Sequence, residues 1–190
     1  MHITKLTQKI ESWASETAFI YKFASGYYRD VVEKEIVLAN IGGHDHILCV
    51  GGGICPFTAI LFHQTTGAKV TVIDNDSCCV PKAKRVIERL GISDAVRVLC
   101  QDGSNQALAF ADYTVVHFAL QVCPMEGVFS NIENRVDPGT KLLIRQPKRK
   151  LRKLYDKLPS ALLRRCPLTM HKKARNIGST LLYVKPTYAA

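Results

Sequence analysis

The stretch Ile47-Leu48-Cys49-Val50-Gly51-Gly52-Gly53-Ile54-Cys55-Pro56 decides the fold. A short apolar run ends in three glycines, and the apolar segment from Pro56 to about His63 is predicted to be a helix. Strand, glycine turn and helix in this order open a nucleotide-binding α/β unit. Glycine suits the turn because a Cβ would hold the backbone away from a ligand lying across the strand end. Pro56 suits the first helical turn, where its missing N–H leaves no helical bond unmade.

Downstream of this stretch, strands and helices alternate. Strands are predicted at His46–Val50, Lys69–Ile73, Val96–Leu99, Tyr113–Leu120 and Lys141–Arg145. Helices are predicted at Val80–Leu90, Ser104–Ala109 and Met125–Arg135, with Gly91 closing the first and Asp137-Pro138-Gly139 turning the chain after the last. This alternation gives an α/β fold with a doubly wound, Rossmann-like, mostly parallel sheet. Upstream, Ile3, Leu6, Ile10 and Trp13 recur at helical spacing, and the helix from Ile3 continues to Phe23. Gly26 is expected to break it, and a second helix covers Tyr27 to Asn40. These helices form a short N-terminal cap over residues 1–43, and residues 44–190 form one compact unit. In the tail, Lys148–Tyr155 has apolar residues at helical spacing among basic ones. A short helix restarts at Pro159-Ser160 and runs to about Arg165. Leu168–Arg175 and Thr180–Val184 flank Asn176-Ile177-Gly178-Ser179 as an antiparallel hairpin.

The 190 residues suffice for one domain with a substantial core. No apolar run approaches the roughly 20 residues of a membrane helix, and the amphipathic N-terminus, carrying Glu11 and Glu16, does not read as a signal peptide. The seven cysteines lack metal-like spacing, so no metal site is expected. Cys49, Cys55, Cys100 and Cys123 fall in or beside core strands, which reads as reduced, mostly buried thiols in a cytoplasmic protein. The net charge is +10, unevenly spread. From Lys141 onward there are 14 Lys/Arg and one acid, Asp156, whereas the first 140 residues hold 12 Lys/Arg and 15 Asp/Glu. Such asymmetry points to an anionic substrate, a nucleic acid or an acidic partner, or to a solvated basic face.

The turn narrows the ligand. The dinucleotide fingerprint needs a third glycine where Pro56 stands, and no Lys-Ser/Thr pair follows to make a P-loop. A ligand with ribose and purine but no phosphate at the turn fits better, and S-adenosylmethionine is the common one. Asp74 ends the second strand 23 residues after Gly51, where a carboxylate accepts both ribose hydroxyls and disfavours a 2′-phosphate. Asn75 follows it, and Asp76 is the better candidate to cap the next helix. Asp102 ends strand three, where it can accept the exocyclic amine of adenine or cap the segment that follows. Gly103 lets a purine approach the backbone. Ligands of such sheets bind at the carboxyl ends of the strands, which gathers Gly51–Gly53, Asp74, Asp102, Phe118, Ala119, Leu120 and Arg145 on one edge.

Together these residues resemble the class I S-adenosylmethionine-dependent methyltransferases over about Asp45 to Arg145 and the final hairpin. The resemblance implies a seven-stranded sheet with an antiparallel last strand. It also implies a glycine turn under the methionine part, Asp74 on the ribose and Asp102-Gly103 near adenine. The acid common two residues before the first glycine is Cys49 here, and the last glycine of the turn is Cys55. Within that superfamily, Val50-Gly51-Gly52-Gly53-Ile54-Cys55-Pro56-Phe57-Thr58 is similar to the turn of nicotianamine synthases. The segment from Val128-Phe129-Ser130-Asn131-Ile132 to Leu143-Ile144-Arg145 is similar to theirs, ending in an arginine on strand five. Those enzymes transfer the aminobutyrate arm of S-adenosylmethionine and usually carry a larger helical N-terminal domain.

The acceptor side carries less signal. No N-P-P-Y/F motif follows strand four, where His117-Phe118-Ala119-Leu120 stands instead. His117 is a candidate general base, against the plainer reading of a packed core histidine. Tyr28 is a second catalytic candidate and, with Tyr27 and Glu33 on the cap helix, a candidate lining of the substrate site. Arg145 is placed to grip a substrate or cofactor carboxylate bidentately. Direct displacement at a sulfonium needs alignment and desolvation more than a covalent residue, so a missing catalytic signature does not count against activity. The expectation is an S-adenosylmethionine-dependent methyltransferase acting on a small, anionic molecule. The alternatives are aminobutyrate transfer, an RNA or DNA methyltransferase using the basic tail, a nucleoside-binding protein without catalysis, and an NAD-dependent oxidoreductase. No membrane association is expected, and a homodimer is left open.

Overall fold

In the computed structural model, residues 18–106, 109–156 and 166–187 are described. Helix α1 spans Ala18–Ala39. There follow β1 (His46–Val50), α2 (Phe57–Thr66), β2 (Lys69–Asp74), α3 (Val80–Arg89), β3 (Val96–Cys100), β4 (Val115–Phe118), α4 (Met125–Glu133) and β5 (Lys141–Pro147). A 3₁₀ turn, Arg149–Leu154, leads on, and β6 (Leu168–Met170) and β7 (Ile177–Val184) complete the described elements.

The seven strands form one sheet in the order β3-β2-β1-β4-β5-β7-β6. Strands β1 to β5 are parallel, whereas β7 runs antiparallel to both β5 and β6. The expected doubly wound sheet with an antiparallel end is therefore present. The order reverses at β1, which has β2 on one side and β4 on the other. Crossover connections leave on opposite faces there and open a crevice beyond the strand ends.

The strands are continuous apolar runs because both sheet faces are covered. On one face Ile47, Cys49, Val70, Val72, Val115 and Leu143 pack with residues of α1, α2 and α3. On the other, Leu48, Val50, Val116, Phe118, Leu142 and Ile144 pack with Val128, Phe129 and Ile132 of α4. The period of two along each strand decides which side chains reach which face. His117 and Arg145 point to the α1–α2 face, and their neighbours Phe118 and Ile144 to the α4 face.

Four expectations need correction. Gly26 does not break the first helix, since α1 is continuous through it. A helical glycine costs only about 1 kcal/mol relative to alanine, and the last turns of α1 are anchored by buried Val31, Val32 and Ala39. The helix ends instead at Asn40, whose φ of 47° is left-handed, with the Ile41 N–H donating to the Ile36 carbonyl at 3.0 Å. Residues 104–106 are not helical, and Asp102 closes a turn at Gly103-Ser104. Residues 107 and 108 of that expected helix lie outside the described residues.

The hairpin connection is residues 171–176, not Asn176–Ser179. Met170 pairs with Ser179 and Leu168 with Leu181, and β5 holds β7 from Val184 back to Ile177. Gly178 is used inside the strand rather than in a turn. A Cβ on it would lie 3.0 Å from the Pro147 carbonyl oxygen and 3.1 Å from the Lys148 backbone. Finally, Cys100 and Cys123 are exposed, because β3 is the sheet edge and Cys123 follows the end of β4. Cys49, Cys55 and Cys79 are buried, and no disulfide joins any of the described residues. The helical expectations at 3–17 and 159–165 lie outside the described residues.

Candidate functional site

The glycine turn leaves β1 with Gly51 at φ 83° and Gly53 at φ 61°, both left-handed. The Gly51 N–H donates to the Ile73 carbonyl at 2.9 Å, which holds the turn across the end of β2. A Cβ on Gly52 would lie 2.2 Å from Val72 Cγ1, so only glycine lets the turn lie flat on β2. Pro56 then caps α2 from outside, accepting the Ile60 N–H through its carbonyl at 3.1 Å.

Asp74 is tied into this turn. Its Oδ2 accepts the Gly53 N–H at 2.7 Å and its Oδ1 accepts the Asp76 N–H at 2.9 Å. A carboxylate oxygen has two lone pairs, so both oxygens keep acceptor capacity toward a ligand. Asp76 closes the turn ahead of α3, accepting the Cys78 N–H at 2.8 Å and the Cys79 thiol at 3.1 Å. Asp102 Oδ1 accepts both the N–H and the hydroxyl of Ser104 at 2.8 Å. The Ser104 N–H first, then its hydroxyl, hold the Asp102 carboxyl below the ordinary range. Gly103 has a packing reason of its own, because a Cβ there would lie 2.8 Å from Val128 Cγ1 of α4.

These groups line a cavity of about 340 Å³ at the carboxyl ends of β1, β2 and β3. Its walls include Gly51–Gly53, Asp74, Asn75, Asp102 and Gly103. Gln121, Val122 and Val128 close its far side. The volume lies within the ~300–1,000 Å³ usual for small-molecule and cofactor sites.

A second, smaller cavity of about 40 Å³ opens on the other side of the turn. It shares Gly51, Gly52 and Gln121 with the first, and its lining also includes Tyr28, Thr58, His117, Ala119 and Arg145. Beneath it lies a buried polar cluster. Arg145 donates from Nε and Nη2 to the two carboxylate oxygens of Glu35, both at 2.8 Å, and from Nη1 to Thr58 Oγ1 at 3.0 Å. Thr180 donates its hydroxyl to Glu35 Oε1 at 2.7 Å, and His171 Nε2 lies 2.8 Å from the same hydroxyl. The Arg145 guanidinium carbon sits 5.7 Å from the centre of the Tyr28 ring, which stacks on Phe57.

Arg145 is therefore not a fork awaiting a substrate carboxylate: the carboxylate it grips is the chain's own Glu35. Burial alone would raise the Glu35 carboxyl, but Arg145 and then His117 hold it far below the usual carboxylate range. Burial, and then Arg145, push the His117 imidazole down, so it is neutral at pH 7. Its Nε2 is buried without a hydrogen-bond partner, 3.7 Å from Glu35 Oε2. The other sequence candidates distribute unevenly. Ala119 lines the small cavity, whereas Phe118 lines neither, being fully buried on the opposite face with its ring 5.7 Å from that of Phe129. Glu33 is exposed on α1. The Tyr27 side chain lies outside the described residues.

Glu35, Thr58, Gln121 and Thr180 were not legible as site residues. Glu35 had one signal. Val31, Glu35 and Ala39 share an i, i+4 stripe, and all three are buried, so a carboxylate interrupts an otherwise apolar face. Among the described residues no group of three His, Cys, Asp or Glu side chains is arranged to hold a metal ion. Likewise, no described helix is long and apolar enough to cross a membrane.

No protein-family model matches this sequence, and no curated protein matches it. Solved structures do share its fold. The nicotianamine synthase MtNAS, in a point-mutant form bound to S-adenosylmethionine, superposes with a TM-score of 0.78 at 24% identity, covering 96% of this chain and 73% of that one. MtNAS in complex with MTA and tNA gives the same score and identity. An RNA methyltransferase from Salinibacter ruber, bound to S-adenosyl-L-homocysteine, gives 0.62 at 18% identity over 85% of this chain and 94% of that one. The strand order, the glycine turn after β1 and these superpositions agree, and the chain has the fold of the class I S-adenosylmethionine-dependent methyltransferases.

Proposed function

We propose that this protein is an S-adenosylmethionine-dependent transferase that methylates a small, anionic molecule. The observation that carries this reading is the meeting of two cavities at one glycine turn. The larger has carboxylates and a glycine floor suited to a nucleoside. The smaller is walled by a neutral histidine, a tyrosine and a glutamine. The larger cavity fits the cofactor by volume and by donor set: Asp74 offers acceptor oxygens to ribose hydroxyls, and Asn75, Asp102 and Gly103 lie where adenine would rest. When bound, S-adenosylmethionine supplies an electrophilic carbon on its sulfonium.

The chain's own residues then position and exclude. The small cavity admits little more than the accepting group and keeps water from it. Tyr28, held between Phe57 and Arg145, sets one wall. His117, a neutral imidazole in the lining of this cavity, takes the proton that an accepting amine or hydroxyl loses. Glu35, Arg145 and Thr180 fix this wall and do not touch the reacting atoms.

A second reading is transfer of the aminobutyrate arm, favoured by the superposition on MtNAS. The two readings differ in product. Incubation with S-adenosylmethionine and a panel of small amines and acids, followed by mass spectrometry, decides between them. Acceptor-dependent S-adenosylhomocysteine supports methyl transfer, and acceptor-dependent methylthioadenosine supports the second reading. Loss of acceptor-dependent turnover in His117→Ala, with cofactor binding kept, supports the role given to His117.

A further inference from the structure

A third cavity lies at the end of β5, where the sheet passes into the 3₁₀ turn. It is an open groove of about 720 Å³. Lys148, Arg149, Lys150, Arg152 and Lys172 line it, and no Asp or Glu is among its described lining residues. Among the described residues, none of these five cations takes part in an ion pair. Nearby Asp156 accepts the Met125 N–H at 3.1 Å, at the start of α4.

The groove is built by the fold rather than being a loose basic face. Gly178 lets β7 close on the exit of β5, and the Lys148 N–H donates to the Asn176 carbonyl at 2.9 Å. Ala174 and Ile177 anchor the connection between β6 and β7 against Val31 and Leu120. The lining also includes His171, which is fully buried. His171 Nε2 is engaged with Thr180, but its buried Nδ1 has no hydrogen-bond partner. His171 thus belongs to the buried cluster under the groove, and the five cations outside any ion pair are what the groove offers to an acceptor-rich ligand.

The groove and the small cavity lie at the same end of β5. Arg145 of that cavity and Pro147 of the groove lie two residues apart on β5. At about 3.3 Å per strand residue, they are separated by about 7 Å. His171, Thr180, Glu35 and Arg145 form one hydrogen-bonded chain between the two. That chain is buried, so a molecule bridging the two would run over the strand ends, its anionic end in the groove and its reacting end at the mouth of the small cavity.

The geometry points to a substrate that carries an oligophosphate or similarly dense polyanionic group, held in this groove while its other end is modified. This rests on the transferase reading above. Five cations without a carboxylate exceed what a single carboxylate engages, and Arg and Lys together suit phosphate oxygens. A nucleic acid strand fits less well, because no Phe, Tyr or Trp among the described lining residues offers a surface on which bases stack.

The test is calorimetric titration of the full chain with tripolyphosphate, acetate and a twelve-nucleotide oligouridine at low salt. S-adenosylhomocysteine is titrated in parallel, and all four are repeated on Lys150→Glu/Arg152→Glu. The expected result is one-to-one tripolyphosphate binding, at least tenfold tighter than acetate and at least tenfold weaker in the variant. S-adenosylhomocysteine affinity stays within twofold. No tripolyphosphate binding, or binding that the variant leaves unchanged, overturns the groove assignment. Oligouridine binding a hundredfold tighter than tripolyphosphate, lost in the variant and falling steeply with salt, overturns it in favour of a nucleic acid. Tripolyphosphate binding without S-adenosylhomocysteine binding would support the groove and refute the cofactor reading, so the two failures are distinct.

Discussion

The two sides of the glycine turn are built in opposite ways. On the Asp74 and Asp102 side, polar groups are held by near neighbours or by the turn itself: Asp74 by Gly53 and Asp76, Asp102 by Ser104. These carboxylates stand at the rim of an open cavity and keep acceptor capacity. On the Arg145 side, the partners come from afar. Glu35 lies 110 residues from Arg145 and 145 from Thr180, and all three side chains are buried. An open carboxylate can be exchanged at modest cost to the fold, because water replaces what it loses. A buried ion pair cannot lose one member without stranding the other charge. Binding is thus separable from stability on one side of the turn and inseparable from it on the other.

The largest break in this comparison is Arg145→Met. It strands the Glu35 carboxylate and should lower stability by about 3–5 kcal/mol, read as a fall in the urea midpoint. Adding Glu35→Leu sharpens the point. If the pair acts as a unit, the double variant is more stable than the two single losses summed, by at least ~1 kcal/mol. Additive losses would mean that Glu35 and Arg145 stabilise the fold independently.

Acid provides a smaller, graded probe. Burial and Arg145 hold His117 below the ordinary imidazole range. The unfolded chain therefore takes up a proton near about pH 6.5 that the folded chain refuses. Stability is present in full above that pH and falls as pH drops through it. Burial works to raise Glu35, but Arg145 and His117 hold it far below the usual range. Its contribution is present above the unfolded value of about 4.3 and is lost as pH falls below it. Urea midpoints measured from pH 8 to pH 3 should fall in two stages, and Arg145→Met should shrink the lower one to what Asp30, Asp76 and Asp102 contribute.

The smallest effect on stability is expected on the open side. Asp74→Ala removes the carboxylate acceptors of two backbone N–H groups, those of Gly53 and Asp76, and should cost no more than about 2 kcal/mol, leaving a folded protein. Gly52→Ala is a harsher control on the same turn. Its Cβ would meet Val72 Cγ1 at 2.2 Å, and relieving that clash should cost about 1–3 kcal/mol.

The same contrast explains what could be read from the residues alone. Strands β1 and β2, the glycine turn and the positions of Asp74 and Asp102 follow from local pattern. Each is fixed by residues a few places away or by the strand alternation. The topology needed only the alternation of strands and helices and the apolar runs that two covered faces demand. The long-range half was not legible. Nothing near Arg145 announces Glu35, and Cys49 stands where an acid was expected. The carboxylate on that face comes from α1 instead, and burial pushes the Cys49 thiol up beside it. The Gly26 and hairpin expectations failed for a related reason. Local breaker residues were overruled by packing of α1 on α2 and by the ladder between β5 and β7. Phe118 was placed on the ligand edge by position alone, but strand alternation turned it to the α4 face.

The central claim is that the open side of the turn is a nucleoside site built around Asp74. The most direct measurement is calorimetric titration with S-adenosylmethionine and S-adenosylhomocysteine, on the unaltered chain and on Asp74→Ala. The account predicts one-to-one micromolar binding of both, weakened at least tenfold in a variant that remains folded. Absence of binding to the unaltered chain, or affinity that Asp74→Ala leaves unchanged, would contradict it.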